Sequence, residues 1–403
     1  MLKINNKKIG LFLISLVPLG YILKEIFSYL PDLTLVFYIM LYVLSFVVII
    51  MKKQEFYFKK IDSLFYIWVF LMILGVLLTP TPFNGLFKIA KFVFLGLSLI
   101  FFSRVFIQDR NDLKNLLRYL LTMSVFTELI ILGDFIRNGA SVDRYLSFGT
   151  VSPIPLGMLG VTTTSLALIL YLYKKIGSFR FLLILVPSIS TMVISGSKGP
   201  IVSLLICIIL MLPIVLRRIK FRILFIAGLG LFALSRVPII KQSLDTLMYR
   251  FSNIDNDMST SIRLDMYYES INLFKENPIL GKGTGALPVY PHNFFVEVLA
   301  ENGILSLIVV VVLLFIFVGQ FYIFLRKGTL DYLATCINAL FIISFTSLMF
   351  SFTYVDHKYM FLSIALLFSY YRLEKPSKEL LKREMVFGKR KTKRNRKRFK
   401  LAV

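Results

Sequence analysis

The sequence is poor in charge and in cysteine, and each shortage excludes a class of protein. Of the 403 residues only 17% are charged, whereas 57% are hydrophobic. Soluble chains are about 25% charged and about 45–50% apolar, so a soluble globular enzyme and a disordered tail protein are both excluded. The two cysteines, Cys207 and Cys336, each lie in an apolar run without metal-ligand spacing. This excludes a disulfide scaffold and predicts buried free thiols.

What the sequence contains instead is long, continuous apolar stretches. Residues 304–318, for example, read ILSLIVVVVLLFIFV, whereas the strands of a membrane barrel alternate apolar and polar residues. Because a spanning helix needs roughly 20 apolar residues, we predict an all-α polytopic membrane protein with about 12 transmembrane helices. The predicted spans lie near 9–29, 33–51, 61–79, 86–107, 115–133, 154–173, 181–195, 200–216, 221–240, 303–325, 330–351 and 358–371.

Positive charge is concentrated in every second connecting segment. One alternating set carries 34 of the 47 Lys and Arg residues and 8 of the 22 Asp and Glu residues. Cytoplasmic loops are enriched in Lys and Arg, so we expect this set and both termini to be cytoplasmic in a plasma-membrane protein. The longest segment of the other set, 241–302, is then an extracytoplasmic loop. It is predicted to be helical, because Tyr267, Ile271 and Phe274 recur at helical spacing.

The C-terminal residues differ in kind from the rest of the chain. From Lys389 to Lys400 nine of twelve residues are basic and none is acidic. We interpret residues 1–371 as a transmembrane domain and residues 372–403 as a basic cytoplasmic tail, which orients the protein and attracts anionic lipids. RNA binding is the weaker interpretation, because no RNA-binding fold accompanies the tail. We therefore expect membrane lipids, and no nucleic acid, as partners of the tail.

The strongest local pattern is His292-Asn293, followed after nine residues by Gly303. Upstream stand Arg263 and the turn sequence NPILGKGTG at 277–285. This arrangement resembles the O-antigen ligase and Wzy-type O-antigen polymerase superfamily, whose signature is H-N/S/Q, nine residues and G-x-x-G/T/Y, after an Arg and a P-x-x-G-x-G turn. The sequence departs from the signature at its last position, where Ser306 stands. The resemblance covers about residues 185–345 and implies a GT-C-like glycosyltransferase fold that works without a metal or other cofactor.

His292 is the predicted proton acceptor of the site. It follows two prolines and precedes an amphipathic run, so it is expected near a helix start, where backbone N–H groups and the helix dipole favour anions. A neutral imidazole can accept a proton near pH 7. The alternative is a structural histidine that caps the loop. His357, the other histidine, is interpreted as an ordinary interfacial residue.

Cations are expected to bind the diphosphate of a lipid-linked sugar, because this leaving group needs charge stabilisation rather than a proton. Lys198 lies in SGSKGP, which interrupts apolar sequence at the membrane surface, where a cation is costly unless it binds a ligand or snorkels. The resemblance implies that Lys198 stands in an arginine position and that Arg263 belongs to the catalytic site. Arg250 is a further candidate for diphosphate binding, and Arg144 is a weaker one.

A metal site is the alternative chemistry. Asp255-Asn256-Asp257 matches the D-x-D pattern of some metal-dependent glycosyltransferases. The surrounding SNIDNDMSTS is equally typical of a turn, and we expect the enzyme to be metal-independent.

The function that the sequence predicts is polymerisation of undecaprenyl-diphosphate-linked oligosaccharide repeat units at the outer face of the membrane. Lipid-linked donor and acceptor are the expected partners, with a flippase and a chain-length regulator as candidate further partners. O-antigen ligase-type transfer to another acceptor remains open. A polysaccharide-lipid flippase remains open too, although it would be expected to carry more charge within its spans and no 60-residue outer loop. A purely structural membrane protein would not need the set of Lys198, Arg263 and His292.

Overall fold

The described part of the chain is built from helices. The computed structural model describes residues 2–27, 29–30, 32–52, 60–138, 151–218, 228, 236, 238–252, 258–326 and 331–374. The helices are α1 (Leu2–Leu16), α2 (Gly20–Ile26), α3 (Leu33–Lys52), α4 (Lys60–Val76), α5 (Pro82–Ala90), α6 (Ser98–Phe106), α7 (Arg110–Asn138), α8 (Pro153–Leu172), α9 (Ser178–Ile194), α10 (Lys198–Leu210), α11 (Leu212–Arg218), α12 (Pro238–Ser252), α13 (Met258–Glu276), α14 (Phe294–Arg326), α15 (Tyr332–Leu348) and α16 (Lys358–Glu374). A π-helical segment, Lys91–Leu97, joins α5 to α6.

Many of these helices are apolar enough to cross a membrane. Six stretches have the required length and composition: Asn6–Ile26, Leu33–Met51, Pro82–Phe106, Arg110–Arg137, Pro153–Leu172 and Phe294–Arg326. Four shorter apolar helices are Ile61–Val76, Ser178–Ile194, Lys198–Leu210 and Tyr332–Leu348. The protein is therefore a multi-pass helical membrane protein. The total of twelve spans stays a prediction, as does the GT-C-like arrangement.

Several predicted features lie outside the described residues. They include most of the predicted span 221–240, Arg144 in the first long loop, the pair Asp255 and Asp257, and the tail beyond residue 374.

One predicted span begins where the structure breaks a helix. The sequence predicts a span at 303–325 and a helix start close to His292, and α14 begins at Phe294 and is interrupted at Gly303, whose φ is 69° and ψ is −170°. The stretch before the break carries Glu297 and Glu301, and both side chains are buried. Lys88 of α5 pairs with both carboxylates, a long-range contact that a hydropathy pattern cannot reveal.

Helix packing places α14 beside several other helices. α14 packs against both α4 and α13, α4 packs against α5, and α15 packs against α10 and α16. The loop between α15 and α16, residues 349–357, contacts the first part of α14. These contacts define where the candidate site forms.

Candidate functional site

The interruption of α14 at Gly303 is occupied by the glycine-rich turn that precedes the helix. The N–H groups of Lys282 and Gly283 donate to the carbonyls of Ala300 (2.8 Å) and Glu301 (3.0 Å), and the N–H of Ile304 donates to Pro278 O (2.9 Å). The turn therefore satisfies backbone groups that the broken helix leaves unpaired. This explains why the P-x-x-G-x-G turn and the later glycine occur together.

Glycine is required in this turn because the turn backbone lies in direct contact with the backbone of neighbouring segments. A Cβ on Gly283, whose φ is 110°, would lie 2.6 Å from Gly75 O, and one on Gly303 would lie 2.6 Å from Gly281 N. The turn is held from its other side by Thr284 Oγ1, which donates to Met72 O at 2.7 Å. The turn thus fixes α14 to α4, and it sets the position of the residues that follow it.

His292 lies immediately before α14, as the sequence predicts. Asn293 caps the helix, since its Oδ1 accepts from the N–H groups of Phe295 (3.1 Å) and Val296 (3.2 Å). His292 itself has φ 56°, an uncommon conformation for a non-glycine residue that recurs at functional sites. Its Nδ1 lies 3.3 Å from Ser351 O. A carbonyl oxygen can only accept, so Nδ1 carries the proton and Nε2 keeps the lone pair that a general base needs.

Arg263 acts electrostatically on this histidine from α13. The pKa of His292 lies below its ordinary value, chiefly because of burial and then because of the Arg263 charge, while the hydrogen bond to Ser351 opposes both. Burial likewise raises the pKa values of Tyr267 and Tyr290, and Arg263 opposes both increases. The rings of Tyr290 and His292 lie 4.4 Å apart. The structure therefore brings Arg263 and His292 into one electrostatic neighbourhood, with His292 neutral at pH 7.

Lys198 lies at the start of a helix that packs against the loop contacting His292. It is the first residue of α10, after a turn in which Gly196 has φ 56°. A Cβ on the next residue, Gly199, would lie 2.8 Å from Ser351 Oγ. The start of α10 therefore packs on the same serine whose carbonyl pairs with His292. The half-buried Lys198 side chain begins beside this contact.

The remaining predicted site residue is less well defined. Arg250 lies on α12, but its side chain is outside what the structure describes. Among the described residues, no group of three or more His, Cys, Asp or Glu side chains is arranged to hold a metal ion.

A buried charge cluster beside the site was missed by the sequence reasoning. Lys88 Nζ of α5 lies 2.6 Å from Glu297 Oε1 and 2.7 Å from Glu301 Oε2. The exposed fractions of these side chains are 13%, 0% and 1%. One ammonium cannot neutralise two carboxylates, but both of them contact it, so its removal would leave buried carboxylate charge without a cationic partner among the described residues. The available signal was two glutamates at i and i+4 in an apolar run, which places both on one helix face.

This cluster anchors the loop that contacts His292. Thr353 Oγ1 donates to Glu297 Oε1 at 2.6 Å, and the Tyr354 hydroxyl donates to Asn302 Oδ1 at 3.2 Å. The Tyr354 ring also stacks on Trp68, with ring centroids 5.4 Å apart. The 349–357 loop, which supplies the Ser351 carbonyl, is therefore held against both α4 and α14. These residues position the site without being placed to touch a substrate.

His357 differs from its sequence interpretation as an ordinary interfacial residue. It is 2% exposed, and its Nε2 lies 2.6 Å from Ser347 Oγ. Burial lowers its pKa to about 3, so it is neutral at physiological pH. The burial of His357 was not predicted because TYVDHKY is typical of a short polar loop, whereas this loop folds inward onto α15.

A cavity of about 610 Å³ opens beside the histidine. Tyr290 and Ser351, the two residues that contact His292, both line it. Further lining residues come from the segment 18–35, from the π-helical segment and from the start of α16. Its volume lies in the range of about 300–1,000 Å³ that is typical of small-molecule sites. The site therefore has room for a substrate one side chain away from His292.

Residues 181–311 match the family model described as Wzy_C, O-antigen ligase. This part of the chain is therefore similar to an O-antigen ligase domain. The matched range runs from α9 into α14 and contains all four predicted site residues: Lys198, Arg250, Arg263 and His292. This match supports the resemblance to the O-antigen ligase and Wzy-type superfamily, whose members act in polysaccharide assembly as ligases or polymerases. No curated protein matches the chain.

Proposed function

We propose that this protein polymerises undecaprenyl-diphosphate-linked oligosaccharide repeat units at the outer face of the plasma membrane. The observation that carries the proposal is the position of His292. Its Nδ1 is held by the Ser351 carbonyl, so Nε2 is left to accept a proton. Arg263 acts electrostatically on His292 from α13, and Lys198 begins α10, whose next residue, Gly199, packs against Ser351.

In the proposed reaction a hydroxyl oxygen of the acceptor sugar attacks the anomeric carbon of the donor glycan. The bond between this carbon and the diphosphate oxygen breaks, and undecaprenyl diphosphate leaves with the electron pair. Arg263 and Lys198 stabilise the negative charge that develops on the leaving group. His292 Nε2 takes the proton of the attacking hydroxyl.

The orientation in the membrane is part of the proposal. The charge distribution favours both termini in the cytoplasm and residues 241–302 outside. All three functional residues then lie on the face where lipid-linked repeat units are joined. Arg250 remains a candidate for a further diphosphate contact from α12, and the basic tail would lie on the opposite side.

Reconstitution tests the proposal directly. The full-length protein in liposomes is supplied with the lipid-linked repeat unit of its host, and the glycan products are separated by length. Polymerisation predicts a ladder of products and release of undecaprenyl diphosphate. A single transfer to a different acceptor would identify a ligase. Movement of unchanged substrate across the bilayer would identify a flippase, and either result would overturn the proposal.

A further inference from the structure

We propose that the 610 Å³ cavity beside His292 receives the acceptor sugar, and that Asp356 holds hydroxyl groups of that sugar. This inference rests on the proposed function and deepens it, since it assigns one substrate to one cavity. Neither the cavity nor Asp356 belongs to the set of site residues predicted from sequence.

The position of the cavity is the first argument. The acceptor hydroxyl must reach His292 Nε2, and Tyr290 and Ser351 line the cavity while both contact that histidine. A sugar in the cavity therefore lies next to the Tyr290 ring and the Ser351 backbone, both of which contact the base. Arg263 lies on α13 and Lys198 on α10, and neither helix lines the cavity. The donor diphosphate can therefore bind near these cations without entering the cavity.

The charges of the cavity are the second argument. Lys91 Nζ lies 3.2 Å and Lys358 Nζ lies 3.6 Å from the two carboxylate oxygens of Asp356. Asp32 also lines the cavity, with one oxygen accepting from Thr34 N. Two lysines and two aspartates leave no net positive charge, whereas binding of a diphosphate needs an excess of cations. An uncharged polyhydroxylated ligand fits this balance better.

Asp356 is placed to accept hydrogen bonds from such a ligand. Its side chain is 34% exposed, so lone pairs remain available beyond those used by the lysines. Lys91 begins the π-helical segment Lys91–Leu97, a feature that is frequent at functional sites. Lys91 also lies 4.8 Å from the centre of the Phe87 ring. Lys91 and Lys358 are therefore positioning residues that hold the Asp356 side chain in place.

Aromatic rings complete the chemistry of a sugar site. Tyr21 and Phe87 line the cavity with 40% and 56% of their surfaces exposed, and Tyr290 lies nearest to His292. Their flat apolar faces can cover the C–H face of a sugar ring, while Asp356 takes its hydroxyls. The volume of about 610 Å³ accommodates more than one sugar ring, so residues of this cavity would select the acceptor end of the repeat unit.

Calorimetric binding tests the assignment without requiring catalysis. The ligand is the repeat-unit oligosaccharide freed of lipid and phosphate from the surface polysaccharide of the host, titrated into the full-length protein in detergent. Asp356→Asn should weaken binding about tenfold or more, because a charge-assisted hydrogen bond becomes a neutral one. Asp265→Asn, the same change at an exposed position on α13, should leave the affinity unchanged.

A second titration with inorganic pyrophosphate separates a sugar site from an anion site. If the cavity is an anion site, Asp356→Asn should increase the affinity for pyrophosphate, and Lys91→Gln should abolish pyrophosphate binding. That result, or the absence of saturable oligosaccharide binding to the wild type, would overturn the inference. If Asp356→Asn does not fold, Tyr21→Ala replaces it, since this half-exposed ring tolerates truncation and its loss should also weaken binding. If the protein binds the oligosaccharide through Asp356 but never lengthens a glycan, the proposed polymerisation is refuted, whereas the sugar site is retained.

Discussion

Removal of the Lys88 ammonium should destabilise the protein far more than removal of its neighbour Lys91. In Lys88→Met two carboxylates that are 0% and 1% exposed lose their only cation. Breaking a buried ion pair in this way costs about 3–5 kcal/mol, because the remaining charge is uncompensated. Lys91 and its partner Asp356 are each about one third exposed. Solvent screening limits the effect of Lys91→Met to about 1 kcal/mol or less.

The single tryptophan of the chain provides the assay. Trp68 stacks on Tyr354, whose hydroxyl bonds to Asn302 on α14 beside the charge cluster. Thermal unfolding in detergent, followed by Trp68 fluorescence, should show a much lower midpoint for Lys88→Met than for Lys91→Met. Adding Glu297→Gln and Glu301→Gln to Lys88→Met should recover most of the loss. Equal midpoints for the two lysine variants, or no recovery, would refute the account of a compensated buried cluster.

Three further predictions follow from the site. Burial and Arg263 lower the pKa of His292, so the neutral base persists to lower pH and the transfer rate should fall only below pH ~6.5, the ordinary histidine pKa. Arg263→Gln should move this fall in rate to higher pH. A pH profile that does not move would exclude an electrostatic effect of Arg263 on His292. Gly303→Ala should abolish stable folding, since a Cβ there meets Gly281 N at 2.6 Å; normal thermal stability of that variant would contradict the docking of the turn. EDTA should leave the rate unchanged, because cationic side chains are proposed to stabilise the leaving group; loss of activity that Mg²⁺ restores would implicate a metal.

The helices and the neighbourhood of His292 could be predicted from sequence because both leave local patterns. Continuous apolar runs gave most helices correctly, since burial in a bilayer requires them. The placement of His292 before a helix followed from two prolines and the amphipathic run after it. The packing of the start of α10, where Lys198 lies, against the loop that contacts His292 could be anticipated only through the resemblance, because it depends on contacts between distant parts of the chain.

Other parts of the site depend on contacts that no local pattern records. Lys88 and Glu297 are separated by 209 positions, and each alone reads as a charge that interrupts an apolar run. The buried charge cluster was missed for this reason. The burial of His357 was missed because its partner, Ser347, belongs to the preceding helix. The cavity is assembled from five separate segments, so neither its size nor Asp356 could be recognised before the chain was folded.

Replacement of His292 by glutamine tests the central claim most directly. Glutamine can still donate a hydrogen bond to the Ser351 carbonyl, so it preserves a structural role, but it cannot accept a proton near pH 7. Product length from the lipid-linked repeat unit is compared for wild type, His292→Gln and His292→Ala at equal protein level. The account predicts that both variants lose about 10²–10⁴-fold in rate, as is typical for removal of a general base. Full-length product from His292→Gln at the wild-type rate would contradict it and leave His292 with a purely structural role.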